Sequence, residues 1–133
     1  MEKIPVIIGK ISKYQRKYID EKLSETGLAG AQGIILAKLD RFGFMTPKEI
    51  AGLGIVEKAA VAKVLKKLYE LKYIDKEFSG LDGRSYRVKL TSKGLAMANR
   101  VKKYVVELEE RYKTILSPET IEELLKLEEE LNK

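Results

Sequence analysis

The sequence predicts a mainly α fold with a small β-hairpin (α+β). Three observations carry that expectation. Apolar residues recur at steps of three and four over most of the chain. Residues 73–90 alternate instead, and glycines or capping residues mark each change of period. With 133 residues, 44% of them apolar, the chain is read as one domain, 1–133, with enough apolar surface for a core.

The elements follow in order. Ile4, Ile7, Ile11, Tyr14 and Tyr18 step along one face of a helix from about Ile4 to Ser24, which Gly27 and Gly30 are read to end. A second helix spans roughly Ala31 to Arg41, with Ile34, Ile35, Leu36 and Leu39 inward, and Phe42-Gly43-Phe44 turns the chain. Thr46-Pro47-Lys48-Glu49 is a helix start: Thr46 caps, Pro47 loses no needed N–H, and Glu49 reaches back as a capping box. Gly52 and Gly54 stop that helix within about two turns. Helical spacing resumes over 57–72, with Val61, Val64, Leu65, Leu68 and Leu71 on one face, so the pair reads as a helix-turn-helix.

A hairpin follows, with strands at Tyr73 to Phe78 and Ser85 to Leu90. Tyr86, Val88 and Leu90 share one side, and Gly80 and Asp82-Gly83 supply the turn positions that tolerate positive φ. A long helix starts near Ser92, capped by Thr91 or Ser92. Its apolar seam, Ala98, Val101, Val105, Leu108, Tyr112 and Ile115, has nearly coiled-coil spacing. Ser117-Pro118-Glu119 then opens a last helix striped by Ile121, Leu124, Leu127 and Leu131. Residues 28–92 thus read as a winged helix-turn-helix lobe, and 1–26 with 93–133 as a helical dimerisation region. The terminal helices carry more apolar stripe than so small a lobe can cover, which favours a partner chain over an intrachain core.

Composition narrows the chemistry. The chain has neither cysteine nor histidine, which removes disulfides, thiolate sites, the usual general base and the commonest zinc ligand. No phosphate-binding glycine motif and no recognisable catalytic carboxylate pair is present, so no enzyme, cofactor or metal is expected. No apolar run approaches the roughly 18 residues of a membrane span, and no signal peptide opens the chain, so a cytoplasmic protein without a membrane partner is expected. The net charge of +6 is unevenly spread: residues 56–94 carry +5 and residues 118–133 carry −4. A basic middle beside an acidic end fits a polyanion-binding element joined to one that avoids the polyanion.

In such a fold the second helix of the pair enters the major groove and the hairpin wing reaches sideways. The solvent face of helix 57–72 offers Lys58, Lys63, Lys66 and Lys67, and the wing offers Lys76, Arg84 and Arg87. Lys58, Ala59, Ala60 and Lys63 are read as facing bases, and Lys48, Lys66 and Lys67 as facing phosphates. An arginine at a hairpin tip suits a narrow, electronegative minor groove. Alternation along the strands is expected to point either Lys76 or Arg87 away from DNA.

Over nearly its whole length the sequence resembles the MarR family. Leu28-Ala29-Gly30-Ala31-Gln32-Gly33-Ile34-Ile35-Leu36 is similar to the family's L-T-x-x-Q-x-x-V-L opening, with Ala29 in place of threonine. Glu49-Ile50-Ala51 stands for E-L-A, and Val61, Lys63 and Leu68 match the V, R and L of the recognition helix. Asp82-Gly83-Arg84-Ser85 matches the wing motif D-x-R-[SA], and Val88 to Gly94 matches V-x-L-T-x-x-G. The resemblance implies a homodimeric regulator of transcription, more often a repressor, whose two recognition helices read a pseudo-palindromic double-stranded operator. It implies that Arg84 enters the minor groove. It also implies a small anionic or phenolic effector, bound between the dimer helices and the DNA-binding lobe, that loosens DNA binding. Tyr14, Tyr18, Tyr104 and Tyr112 are candidates to line that pocket, or else core and interface residues.

Where the family carries Ser and Thr on the recognition helix, this chain has Glu57, Ala59, Ala60 and Ala62. Alanine cannot hydrogen-bond a base edge, though its methyl can touch a thymine methyl. A second reading therefore stays open: a winged-helix dimerisation or protein-interaction module with weak or non-specific DNA binding.

Overall fold

In the computed structural model, which describes residues 1–80 and 83–133, the elements run α1 (Ile4–Lys22), α2 (Gly30–Phe42), α3 (Pro47–Gly52), α4 (Val61–Glu70), β1 (Ile74–Phe78), β2 (Tyr86–Leu90), α5 (Ser92–Lys113) and α6 (Pro118–Leu131). The order and type of the elements match the sequence reading. Asp82, part of the wing motif, and Leu81 lie outside the described residues.

Gly27, at φ +78, closes the turn after α1. Gly30 does not end α1 but opens α2, and the reason is close packing. A Cβ there would lie 2.9 Å from both Asp20 Oδ1 and Ile19 Cγ2. Residue 29 is an alanine and cannot cap, so α1 supplies the cap: the Asp20 carboxylate accepts from the Gly30 N–H. Gln32 Oε1 accepts from the Ala29 N–H at 3.0 Å. One turn on, a Cβ on Gly33 would meet Leu23 Cδ1 at 2.8 Å and Val101 Cγ2 at 2.9 Å, so α2 lies wedged between α1 and α5.

Gly43 (φ +82) turns the chain into Met45, which pairs with Val88 as an isolated antiparallel bridge. The bridge fastens the entry of the helix-turn-helix to the wing through two hydrogen bonds, 2.8 and 3.1 Å long. It joins residues 43 positions apart and has no local signal. Thr46 and Glu49 form the expected capping box at the head of α3: Thr46 Oγ1 accepts from Glu49 N at 3.1 Å, and Glu49 Oε1 accepts from Thr46 N at 2.9 Å.

The helix expected over 57–72 is shorter. Lys58–Ala60 is a single 3-10 turn, and the α-helix begins at Val61 and ends at Glu70. No Ser, Thr, Asp or Asn stands at its head, so the first turn tightens, with Ala60 N donating to Glu57 O at 2.8 Å. The far end closes in a Schellman arrangement. Tyr73 N donates to Leu68 O at 2.9 Å and Lys72 N to Tyr69 O at 3.0 Å, with Lys72 held at φ +66.

The wing is a two-stranded antiparallel hairpin with Ile74 opposite Leu90 and Phe78 opposite Tyr86. Thr91 caps α5, its Oγ1 accepting from Gly94 N at 3.0 Å. Gly94 is required here, because a Cβ would fall 1.9 Å from the Tyr73 carbonyl oxygen, and backbone cannot give way. Ser117 caps α6 by accepting from Thr120 N.

Two clusters of buried side chains result. The larger is built on Ile35, Leu36, Leu39, Ile50, Leu65, Leu68, Ile74 and Val88 and holds the helix-turn-helix to the wing. The smaller joins Ile19 of α1 and Leu23 just after it to Val101 and Leu108 of α5, and Met97 packs against both clusters. The seam of α5 is therefore divided. Ala98, Val101 and Leu108 are buried within the chain, whereas Val105 and Ile115 stay exposed. In α6, no residue is buried. No helix among the described residues is long and apolar enough to cross a membrane.

Candidate nucleic-acid interface

The amphipathic pattern of α4 sets what the helix-turn-helix can offer a polyanion. Val61, Val64, Leu65 and Leu68 face the core. Opposite them Lys58, Ala59, Ala62, Lys63 and Lys66 are exposed, and Ala60 is half-buried. Lys48, on the first turn of α3, is exposed as well. Among the described residues none of Lys48, Lys58, Lys63 and Lys66 is ion-paired. Glu57, also exposed, precedes Lys58 at the head of the tight turn.

Lys67 departs from that row. It is half-buried, and its Nζ donates to the Gly27 carbonyl at 2.7 Å, which ties α4 to the α1–α2 connection. The contact spans 40 residues and could not be read from helical spacing.

On the wing, the register Lys76 opposite Val88 and Glu77 opposite Arg87 puts Lys76 and Arg87 on opposite faces, as strand alternation requires. Arg87 donates to Glu77 Oε1 at 2.8 Å, and its guanidinium carbon lies 3.8 Å from the centre of the Phe44 ring. The hydrogen bond from Arg87 holds the Glu77 carboxyl below the ordinary glutamate range. Lys76 is half-buried, its Nζ 5.0 Å from the ring centres of both Tyr69 and Tyr86. Arg84 is exposed and follows Gly83 (φ +65), in a turn closed by Ser79 N donating to Ser85 O at 2.8 Å. Local spacing does not reveal the ring platforms Tyr69, Tyr86 and Phe44, because each lies on a different element from the cation it meets.

A cleft of 590 Å³ opens between α1, α2 and α5, walled by Ile19, Ile34, Val105 and Leu108 and edged by Arg16, Asp20, Glu109 and Tyr112. Of the four tyrosines proposed for a pocket, Tyr112 alone lines it. Tyr14, Tyr18 and Tyr112 line a second groove between α1 and the far end of α5. Tyr18 donates to Glu107 Oε2 at 2.8 Å, which with burial raises its pKa above the usual phenol value. Tyr104 packs in the smaller core cluster and accepts from Arg100 Nε at 2.7 Å.

Residues 28–94 match the family model described as a winged helix DNA-binding domain. Solved structures align over nearly the whole chain. MepR of S. aureus in complex with DNA is 23% identical, covers 99% of this chain and 98% of its own, and gives a TM-score of 0.85. A MarR transcriptional regulator from Methanosarcina mazei Go1 is 25% identical, with coverages of 96% and 86% and a TM-score of 0.77. BpsR of Bordetella bronchiseptica, whose DNA binding is regulated by 6-hydroxynicotinic acid, is 17% identical, with coverages of 99% and 100% and a TM-score of 0.83. No curated protein matches the sequence.

Proposed function

This chain belongs to the winged helix DNA-binding domain family and is a DNA-binding transcriptional regulator of MarR type, and from that premise we propose that it acts as a homodimeric, sequence-specific repressor. The observation that carries the reading is the row of exposed lysines, Lys58, Lys63 and Lys66, opposite the buried face of α4. Lys58, Ala59, Ala60 and Lys63 face the bases of a major groove, while Lys48 and Lys66 face phosphates, and Arg84 at the wing tip enters the minor groove. Lys67, Lys76 and Arg87 stand further from that role, since each already holds a carbonyl, a ring or a carboxylate. Alanines at the head of the recognition helix leave little direct base readout, so groove shape carries more of the specificity.

The dimer reading rests on the terminal helices. Ile4, Ile7 and Ile11 of α1, Ile115 after α5, and Ile121, Leu124 and Leu131 of α6 are all exposed, with Ile115 at 85% and Leu131 at 78%. So many large apolar side chains left in water on the terminal helices favour a partner surface. A second copy seated on these helices covers it and spaces two recognition helices along one face of a pseudo-palindrome. We infer that a small anionic or phenolic effector binds in the cleft between α1, α2 and α5, a reading supported by the apolar wall of Ile34 and Val105.

Competition between the chain's own upstream DNA and random duplex, read for wild type and Arg84→Ala, tests the reading. A preference for the upstream DNA that weakens in Arg84→Ala supports it. Equal binding to both duplexes favours the interaction module with non-specific DNA binding. Light scattering that reports a monomer at micromolar concentration sinks the dimer.

A further inference from the structure

We propose that Lys76 is a positioning residue, a strut that fixes the angle of the wing against the recognition helix and thereby presents Arg84; the DNA half of this proposal rests on the reading of Arg84 given above. The cation sits between an aromatic ring on each of the two elements it would join. Its Nζ is 5.0 Å from the Tyr69 ring on α4 and 5.0 Å from the Tyr86 ring on β2. Tyr86 in turn packs on Phe78 across the hairpin, with ring centres 5.8 Å apart and planes tilted by 51°. The contacts Tyr69–Lys76–Tyr86–Phe78 therefore run unbroken from the recognition helix to the residue just before the turn that carries Arg84.

The placement separates a strut from a phosphate ligand. Lys76 shares its face of the hairpin with Ile74 and Val88, both buried in the lobe core, so its stem leaves the core side. To reach a phosphate, the ammonium would leave both ring faces, each of which attracts a cation through its quadrupole. A neutral side chain of similar bulk fills most of the space but brings no charge to the ring quadrupoles, and this makes the charge itself testable.

The test uses the full chain as wild type, Lys76→Met, Lys76→Arg and Tyr69→Leu. In the free protein, amide hydrogen exchange of residues 76–79 and 85–88 is compared with that of α5. Tyr69→Leu is expected to speed wing exchange roughly five-fold, the size of one such contact, and Lys76→Met at least as much, while Lys76→Arg keeps the wild-type rate. Unchanged wing exchange in Lys76→Met overturns the strut. DNA affinity is then measured for Lys76→Met in wild-type and Arg84→Ala backgrounds. A loss of about five-fold in the first and none in the second is expected, because a strut acts only through what it positions. Equal losses in both backgrounds make Lys76 a direct phosphate ligand and overturn the proposal. Should Arg84→Ala bind as tightly as wild type, the minor-groove reading fails, and the exchange result alone decides the strut.

Discussion

Asp20, near the end of α1, caps α2 across the interhelical gap by accepting from the N–H of Gly30. The helix that opens the winged helix lobe is thus capped from α1, where residue 29 would ordinarily do it. Asp20→Ala is expected to cost about 1 kcal/mol of stability, the usual value of an N-cap. Ala29 has the extended backbone of an N-cap (φ −77, ψ 156), so Ala29→Ser in the Asp20→Ala background should recover most of that loss. Thermal or urea unfolding of the two variants checks both statements.

Lys66 and Lys67 are neighbours on α4 with different tasks. Lys66 is exposed, whereas Lys67 holds the Gly27 carbonyl. Lys66→Met should flatten the dependence of log K on log salt by about 2 in a dimer, one counterion for each copy. Lys67→Met should leave that slope unchanged and lower stability by roughly 0.5–1 kcal/mol through the lost hydrogen bond. Salt titrations of both variants on one duplex, with unfolding curves beside them, distinguish the two.

Lys72 occupies the left-handed position that closes α4, a conformation costing an L-residue on the order of 1–2 kcal/mol. Lys72→Gly removes that cost and keeps the carbonyl to which Thr91 Oγ1 donates at 2.6 Å. Part of the gain returns as unfolded-state entropy, so a net stabilisation of about 0.5–1 kcal/mol is expected. A fall in unfolding midpoint would show that the Lys72 side chain contributes something beyond its backbone.

The pH response should be flat and then steep. With neither histidine nor cysteine, no side chain of ordinary pKa changes charge between about pH 5.5 and 8. Below that range three carboxyls matter: Glu25, held low by its hydrogen bond from Arg100; Glu49, by the Thr46 N–H; and Glu77, by Arg87. Their folded-state pKa values lie below the unfolded value of about 4.3. Each therefore contributes stability that is present above that value and is lost as pH falls through the folded one. Melting curves from pH 8 to pH 3 should hold level and then drop. A change of several degrees between pH 6 and 8 would contradict this.

What could be read from the sequence was local. Thr46, Pro47 and Glu49 announce α3 because a capping box lies within four residues. Thr91 with Gly94, and Ser117 with Pro118, announce α5 and α6 in the same way. The late start of α4 has no local signal, because Glu57-Lys58-Ala59-Ala60 has the composition of a helix and lacks only a cap. The candidate site was half legible. Exposure of Lys58, Lys63 and Lys66 follows from the period of their own helix. The contacts of Lys67 with Gly27, Arg87 with Phe44 and Lys76 with Tyr69 depend on how separate elements pack, and no local pattern encodes them. Likewise, the α5 seam could not say which of its positions α1 would cover, since Ala98, Val101 and Leu108 carry the same spacing as Val105 and Ile115.

If the lysines of α4 meet the phosphates and bases of an operator, as proposed, binding must depend on salt. Equilibrium binding of the wild-type chain to its own upstream duplex over a salt series from about 50 to 200 mM tests this most directly. Tight binding at low salt is expected, with a linear fall of log K with log salt and a slope near −0.9 for each phosphate neutralised. No binding at the lowest salt, or binding that salt leaves unchanged, would contradict it.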